Sequence, residues 1–121
     1  MADVVVVEDD QDIAVLVAHK LRTAGHEVTV ESDGQAGLAA IRQVRPALVI
    51  LDWMMPRMNG LEVCQAVRAD PDLAATRILM LTAKAQEHDL ERAFDAGADE
   101  YLRKPFSTRE LVLRATSLLG R

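Results

Sequence analysis

Aromatic side chains are scarce in this chain: Trp53, Phe94, Tyr101 and Phe106 make up 3% of its 121 residues. The core must then be aliphatic, and platforms on which single-stranded nucleic acid could stack are lacking. A basic surplus is also missing. Lys and Arg total 14 against 19 Asp and Glu, a formal charge of −5, so no phosphate-backbone footprint exists. Direct nucleic-acid binding by this segment is not expected. The one cysteine, Cys64, excludes an internal disulfide and fits a reducing compartment. The three histidines, His19, His26 and His88, are scattered and leave zinc without a ligand set. No apolar run approaches a membrane span. The opening "MADVVVVEDD" has no basic lead and breaks on three acids, so it does not read as a signal peptide. The expected location is cytoplasmic. No Gly-rich phosphate loop of the G-x-G-x-x-G or G-x-x-x-x-G-K kind follows a strand, which argues against a nucleotide binder.

What is present is alternation. Half of the residues are apolar, and the length suits a single domain over 1–121. Short apolar runs lie at 4–7, 27–31, 47–51, 77–81 and 100–102. The first, third and fourth are continuously apolar, as parallel strands covered on both faces should be. The second alternates like an edge strand. Helical spacing fills the gaps: Ile13, Leu16, Val17, Leu21 and Ala24 mark one face, closed by Gly25. Leu38, Ile41 and Val44 mark a second helix, and Leu61, Cys64 and Val67 a third with Asn59 as its cap. Leu90, Ala93 and Phe94 mark a fourth ending at Gly97, and Leu111, Ala115 and Leu118 a fifth capped by Ser107 or Thr108. Five strands, each followed by a helix, predict an α/β fold with a doubly wound parallel sheet.

In such a sheet ligands bind beyond the carboxyl ends of the strands. There the first strand delivers Glu8, Asp9 and Asp10, the third Asp52, the fourth Thr82, Ala83 and Lys84, and the fifth Arg103, Lys104 and Pro105. Aspartate is a poor strand former and costly to bury, so Asp52 at the end of "ALVIL" needs a reason. Glu8, Asp9 and Asp52 held together would repel one another, and a hard divalent cation relieves that. Carboxylates with a backbone carbonyl and waters suit Mg2+. Lys104 offsets the remaining charge. A carboxylate beside a cation, a hydroxyl and an ammonium is also a nucleophile with a cradle for a phosphoryl group. Asp52 can attack phosphorus, Lys104 can neutralise charge and Thr82 can donate a hydrogen bond. Plainer roles suit other residues. Asp10 fits a helix N-cap, Cys64 a core position, the side chains of Met54, Met55 and Met58 flexible packing, and His88 a solvated surface. Lys84 fits either a surface charge or a gate beside the phosphate.

"VVVVEDDQDI", "LVILDWMMPRMNG", "ILMLTA" and "GADEYLRKPF" resemble the four signature stretches of response regulator receiver domains, in order and spacing, across the whole chain. The resemblance implies a flavodoxin-like (βα)5 fold with strand order 2-1-3-4-5. It implies Asp52 as phosphoacceptor, and Mg2+ held by Glu8, Asp9, Asp52 and the backbone carbonyl of Met54. Thr82 becomes the switch hydroxyl, Tyr101 the switch aromatic and Lys104 the site lysine, joined to Pro105 by a cis peptide. A sensor histidine kinase or phosphotransfer protein is the implied donor, and the domain is a two-component switch rather than a turnover enzyme. A haloacid-dehalogenase-type phosphatase carries its D-x-D nucleophile pair after the first strand, whereas here the third strand delivers the lone nucleophile candidate, Asp52.

The wider run "GADEYLRKPFSTREL" looks most like receivers joined to winged-helix DNA-binding domains. Members of that group form homodimers through the fourth helix, fifth strand and fifth helix. Glu100 with Arg114 and Asp99 with Arg121 could form two of the ion pairs involved. Leu90 departs from the pattern, because the third pair needs a base there opposite Glu110.

Overall fold

The computed structural model describes residues 2–83 and 86–120. Five strands form one sheet: β1 (Asp3–Val7), β2 (Glu27–Glu31), β3 (Leu48–Asp52), β4 (Arg77–Thr82) and β5 (Glu100–Arg103). They run parallel in the order β2-β1-β3-β4-β5. The crossovers carry α1 (Gln11–Thr23), α2 (Gly34–Val44), α3 (Gly60–Ala69), a single 3-10 turn (Pro71–Leu73) and α4 (Glu87–Asp95); α5 (Thr108–Leu119) follows β5. The doubly wound fold and the flavodoxin-like strand order are as the sequence implies. Among the described residues no helix is long and apolar enough to cross a membrane.

Strand side chains alternate between faces, and in β1, β3 and β4 both faces are dry, which is why those strands read as unbroken apolar runs, while β2 at the edge is partly exposed. Val4, Val6, Leu48, Ile50, Leu79 and Leu81 pack under α1 and α5 with Val17, Leu21, Leu111 and Leu118. Val5, Val7, Val49, Leu51, Ile78 and Met80 pack on the other face under α2 and α3, where Cys64 is buried as expected. Caps fix the helix starts. Asp10 accepts from the Asp12 and Ile13 N–H groups, Asn59 and Glu62 form a reciprocal capping box, and Ser107 rather than Thr108 caps α5.

Three local readings shift. Asp52 and Thr82 are the last residues of β3 and β4 rather than the residues just past them, so the backbone that carries each side chain lies within the ladder. The buried stripe of α1 is Ala14, Val17, Ala18 and Leu21, leaving Leu16 exposed. Phe94 is also exposed, and α4 buries Ala93 instead.

Candidate functional site

The carboxyl ends of β1, β3, β4 and β5 converge because the ladder continues one residue past several of them. The Glu8 N–H donates to the Glu31 carbonyl at 3.0 Å, the Trp53 N–H to Leu81 at 3.0 Å, and the Lys104 N–H to Thr82 at 2.7 Å. These bonds fix where Glu8, Asp52 and Lys104 begin. Glu8 is 1% exposed, Asp52 4% and Thr82 1%, whereas Asp9 is open to solvent. Carboxylate oxygens of Glu8, Asp9 and Asp52 lie within 4.8 Å of one another. The Lys104 ammonium bridges two of them, 2.8 Å from Glu8 Oε1 and 3.1 Å from Asp52 Oδ1. The Asp10 N–H donates to Glu8 Oε2 at 3.3 Å.

Among the described residues, three acids against one lysine leave an excess of negative charge. Burial does most to raise the Asp52 pKa. Hydrogen bonds with Glu8 and Asp9 and the charge of Glu8 push the same way, and Lys104 opposes them only in part, leaving it at about 8. Burial alone would lower Lys104, but its bond to Glu8 and the charges of Asp52 and Glu8 outweigh that and hold its pKa above the ordinary value. A cavity of about 420 Å³ opens over the acids, lined by Asp9, Asp10, Asp52, Met54, Ala83 and Lys104. Its donors are all oxygen, which suits a hard divalent cation and not zinc. Among side chains, a nucleophilic carboxylate and a cationic lysine border one open space, an arrangement able to accept an anionic group on Asp52.

The loop after β3 is shaped to leave this space free. Gly60 begins α3 against the strand end: a Cβ there would sit 2.4 Å from the Asp52 carbonyl oxygen, so only glycine lets the helix start so close. Its N–H donates to the Trp53 carbonyl at 2.8 Å. Arg57 has φ 70, and the Met58 N–H donates to the Pro56 carbonyl at 2.8 Å across it, which makes a γ-turn. The Lys104–Pro105 peptide is cis.

The residues singled out in the sequence fall into two groups. Glu8, Asp9, Asp52, Met54 and Lys104 gather at the cavity or its acids, and Thr82 is buried at the neighbouring strand end. Tyr101 lies apart, half-buried on β5, and meets Phe94 of α4 edge-on at 5.8 Å between ring centres. Lys84 and Arg121 lie outside the described residues. Arg114 holds Glu100 of its own chain at 3.0 Å, and Asp99 is taken by Arg68 at 2.7 Å. Sequence reasoning placed Asp10 and Ala83 at the strand ends without giving them a part in the cavity, and passed over Arg92 as the neighbour of Trp53. Asp10 and Ala83 directly follow residues already marked, so strand-end position was the available signal. Arg92 had none.

Comparison with known proteins agrees with this geometry. The response regulator receiver domain family matches residues 4–116, and the chain belongs to that family. It is therefore the signal-receiving switch domain of a two-component response regulator. DNA-binding response regulator MtrA of Mycobacterium tuberculosis is 42% identical over 118 residues, covering 98% of this chain and 50% of MtrA. The chain thus spans about half the length of the curated relatives it matches. Among solved structures, chemotaxis response regulator CheY4 of Vibrio cholerae superposes with a TM-score of 0.93 at 35% identity, covering 98% of both chains. The receiver domain of sensor histidine kinase PA1611 from Pseudomonas aeruginosa, with a magnesium ion coordinated in its active-site cleft, gives 0.90 at 28% identity, covering 99% of this chain and 98% of that one.

Proposed function

We propose that Asp52 is the phosphoacceptor of a receiver switch built from residues 1–121 as a single domain. The observation that carries this is the Lys104 ammonium lodged between Glu8 and Asp52 at the floor of an open acidic cavity. Glu8, Asp9, Asp52 and the Met54 backbone carbonyl would hold Mg2+, whose charge shields the acids and the incoming phosphoryl oxygens. An Asp52 oxygen forms a bond to phosphorus as the phosphorus–nitrogen bond to the donor's imidazole breaks. Lys104 draws negative charge off the transferred group. The buried Thr82 hydroxyl then turns to a phosphoryl oxygen, and Tyr101 follows it inward, changing the α4-β5-α5 face.

The donor is a sensor histidine kinase or phosphotransfer protein, and the location is cytoplasmic. The similarity to MtrA and the other DNA-binding relatives supports an output domain that reads DNA, while the acidic receiver itself does not. The domain carries out only its own phosphorylation and dephosphorylation and turns over no separate substrate. A homodimer through α4-β5-α5 draws less support, because Glu100 and Asp99 already have partners within the chain and Leu90 offers no charge.

Intact-mass measurement after incubation with acetyl phosphate and Mg2+ tests the reading. Wild type gains one phosphoryl group and Asp52→Ala gains none. Equal labelling of the two would overturn it.

A further inference from the structure

The switch as described leaves one contact without a use. Arg92, on the outer side of α4, holds its guanidinium carbon 5.7 Å from the centre of the Trp53 ring. Trp53 directly follows Asp52 and is buried. Its N–H is spent on β4 and its carbonyl on the start of α3, so the indole is anchored to the end of the acceptor strand.

Helix α4 is tied down far more lightly. Its N-cap residue, Gln86, makes no side-chain cap hydrogen bond, and the helix buries only Asp89 and Ala93. Two ring contacts hold its flanks: Arg92 over Trp53 on the β3 side, and Phe94 against Tyr101 on the β5 side. A guanidinium over an indole face is a short-range attraction that depends on alignment. It is strong in one helix position and lost in another, so it biases the balance between the two.

We propose that Arg92 is a positioning residue, a latch from α4 onto Trp53 that favours the resting position of the helix and opposes activation at Asp52. The proposal rests on the phosphoacceptor reading of Asp52 and goes beyond it by adding a second link between the acceptor strand and α4. Phosphorylation then works against the latch as well as through Thr82 and Tyr101. Because Trp53 is the sole tryptophan, the latch reports on itself.

The test follows Trp53 emission and acrylamide quenching during titration with beryllofluoride in Mg2+, for wild type, Arg92→Ala and Arg92→Lys. Arg92 is exposed and alanine suits a helix, so the variants fold. In Arg92→Ala the resting spectrum is displaced toward the activated one. The apparent affinity for beryllofluoride tightens ~2- to 5-fold, the factor expected of one exposed cation–π contact. Arg92→Lys keeps a cation over the ring and returns most of both effects. An altered resting spectrum with unchanged affinity would make Arg92 a mere cover for the indole and overturn the latch. So would an Arg92→Ala chain identical to wild type. If wild type itself does not respond to beryllofluoride, the phosphoacceptor reading falls and the latch with it.

Discussion

At the start of β4 and β5, Asp99 Oδ2 accepts from Arg68 at 2.7 Å and from the Ile78 N–H at 2.8 Å, and Arg77 approaches Oδ1 at 3.6 Å. The other arms of Arg68 donate to the Gly97 and Thr76 carbonyls at 2.8 and 2.7 Å. At the carboxyl end of β3, Asp52 faces two more carboxylates and, among the described residues, a single lysine. One cluster sets its carboxylate against two arginines and a backbone donor, and the other sets three carboxylates against one lysine among the described residues. Asp99 is half-buried and Asp52 almost fully so, and an unmatched charge costs more there than in open water. A matched network needs nothing further and joins α3, β4 and β5. The mismatched one is completed only by something from outside. Whether each carboxylate has a cationic partner, more than acidity itself, separates the structural edge of this sheet from the functional one.

Breaking the matched edge has the largest expected effect. Arg68→Ala leaves the Asp99 carboxylate and two carbonyls short of partners, at a cost of about 3 kcal/mol in unfolding free energy. Chemical denaturation followed by circular dichroism measures this. Labelling by acetyl phosphate below the melting transition stays as in wild type. A variant as stable as wild type would remove the contrast between the edges. Gly97 belongs to the same network: with φ 111 and the Arg68 stem 2.2 Å from where a Cβ would stand, no other residue fits.

Relieving the mismatched edge acts in the opposite direction and less strongly. Asp52 has a raised pKa, about 8 when folded against an ordinary 3.8, so the folded chain binds the extra proton between them. Wild-type stability in chelator therefore falls as pH rises through that window and levels off above it. Asp52→Asn has no such loss. It should be more stable than wild type by on the order of 2 kcal/mol above pH 8, with the gap closing toward pH 4. Magnesium sharpens the comparison. At ten times its dissociation constant it stabilises wild type by about 1.4 kcal/mol, and Asp52→Asn by less. Parallel pH curves for the two chains would remove the charge crowding.

The two edges were not equally legible in the sequence. Glu8, Asp9, Asp52, Thr82 and Lys104 stood out because a polar residue that interrupts or ends a buried strand breaks a pattern every neighbour obeys. The matched edge breaks no pattern. Arg68 reads as a last-turn helix base and Asp99 as a loop acid, and only the fold brings them together across the α3–β4 and α4–β5 turns. Asp99 was accordingly paired with Arg121 in the sequence reading. On α1, counting hydrophobicity favoured Leu16, yet the helix lies on Ala14 and Ala18. Small side chains let it approach the sheet, a matter of shape that an apolar count underweights. Phe94 went astray for a related reason, since its partner is a tyrosine on the partly open β5.

A third Arg–Asp pair provides the smallest effect and the control for the other two. Arg45 and Asp72 meet at 3.3 Å with side chains 63% and 64% exposed. The chemistry repeats that of Arg68 and Asp99, with water on all sides and no carbonyls to satisfy. Arg45 has φ 52, a position that costs alanine as much as arginine, so the backbone contribution cancels in Arg45→Ala. The change should alter stability by no more than about 0.5 kcal/mol, and 1 M salt should erase the difference. Both follow from thermal melts at two ionic strengths. A loss rivalling that of Arg68→Ala would mean that pairing an arginine with an aspartate stabilises this fold wherever it occurs, and desolvation would no longer explain why one edge of the sheet is rigid and the other reactive.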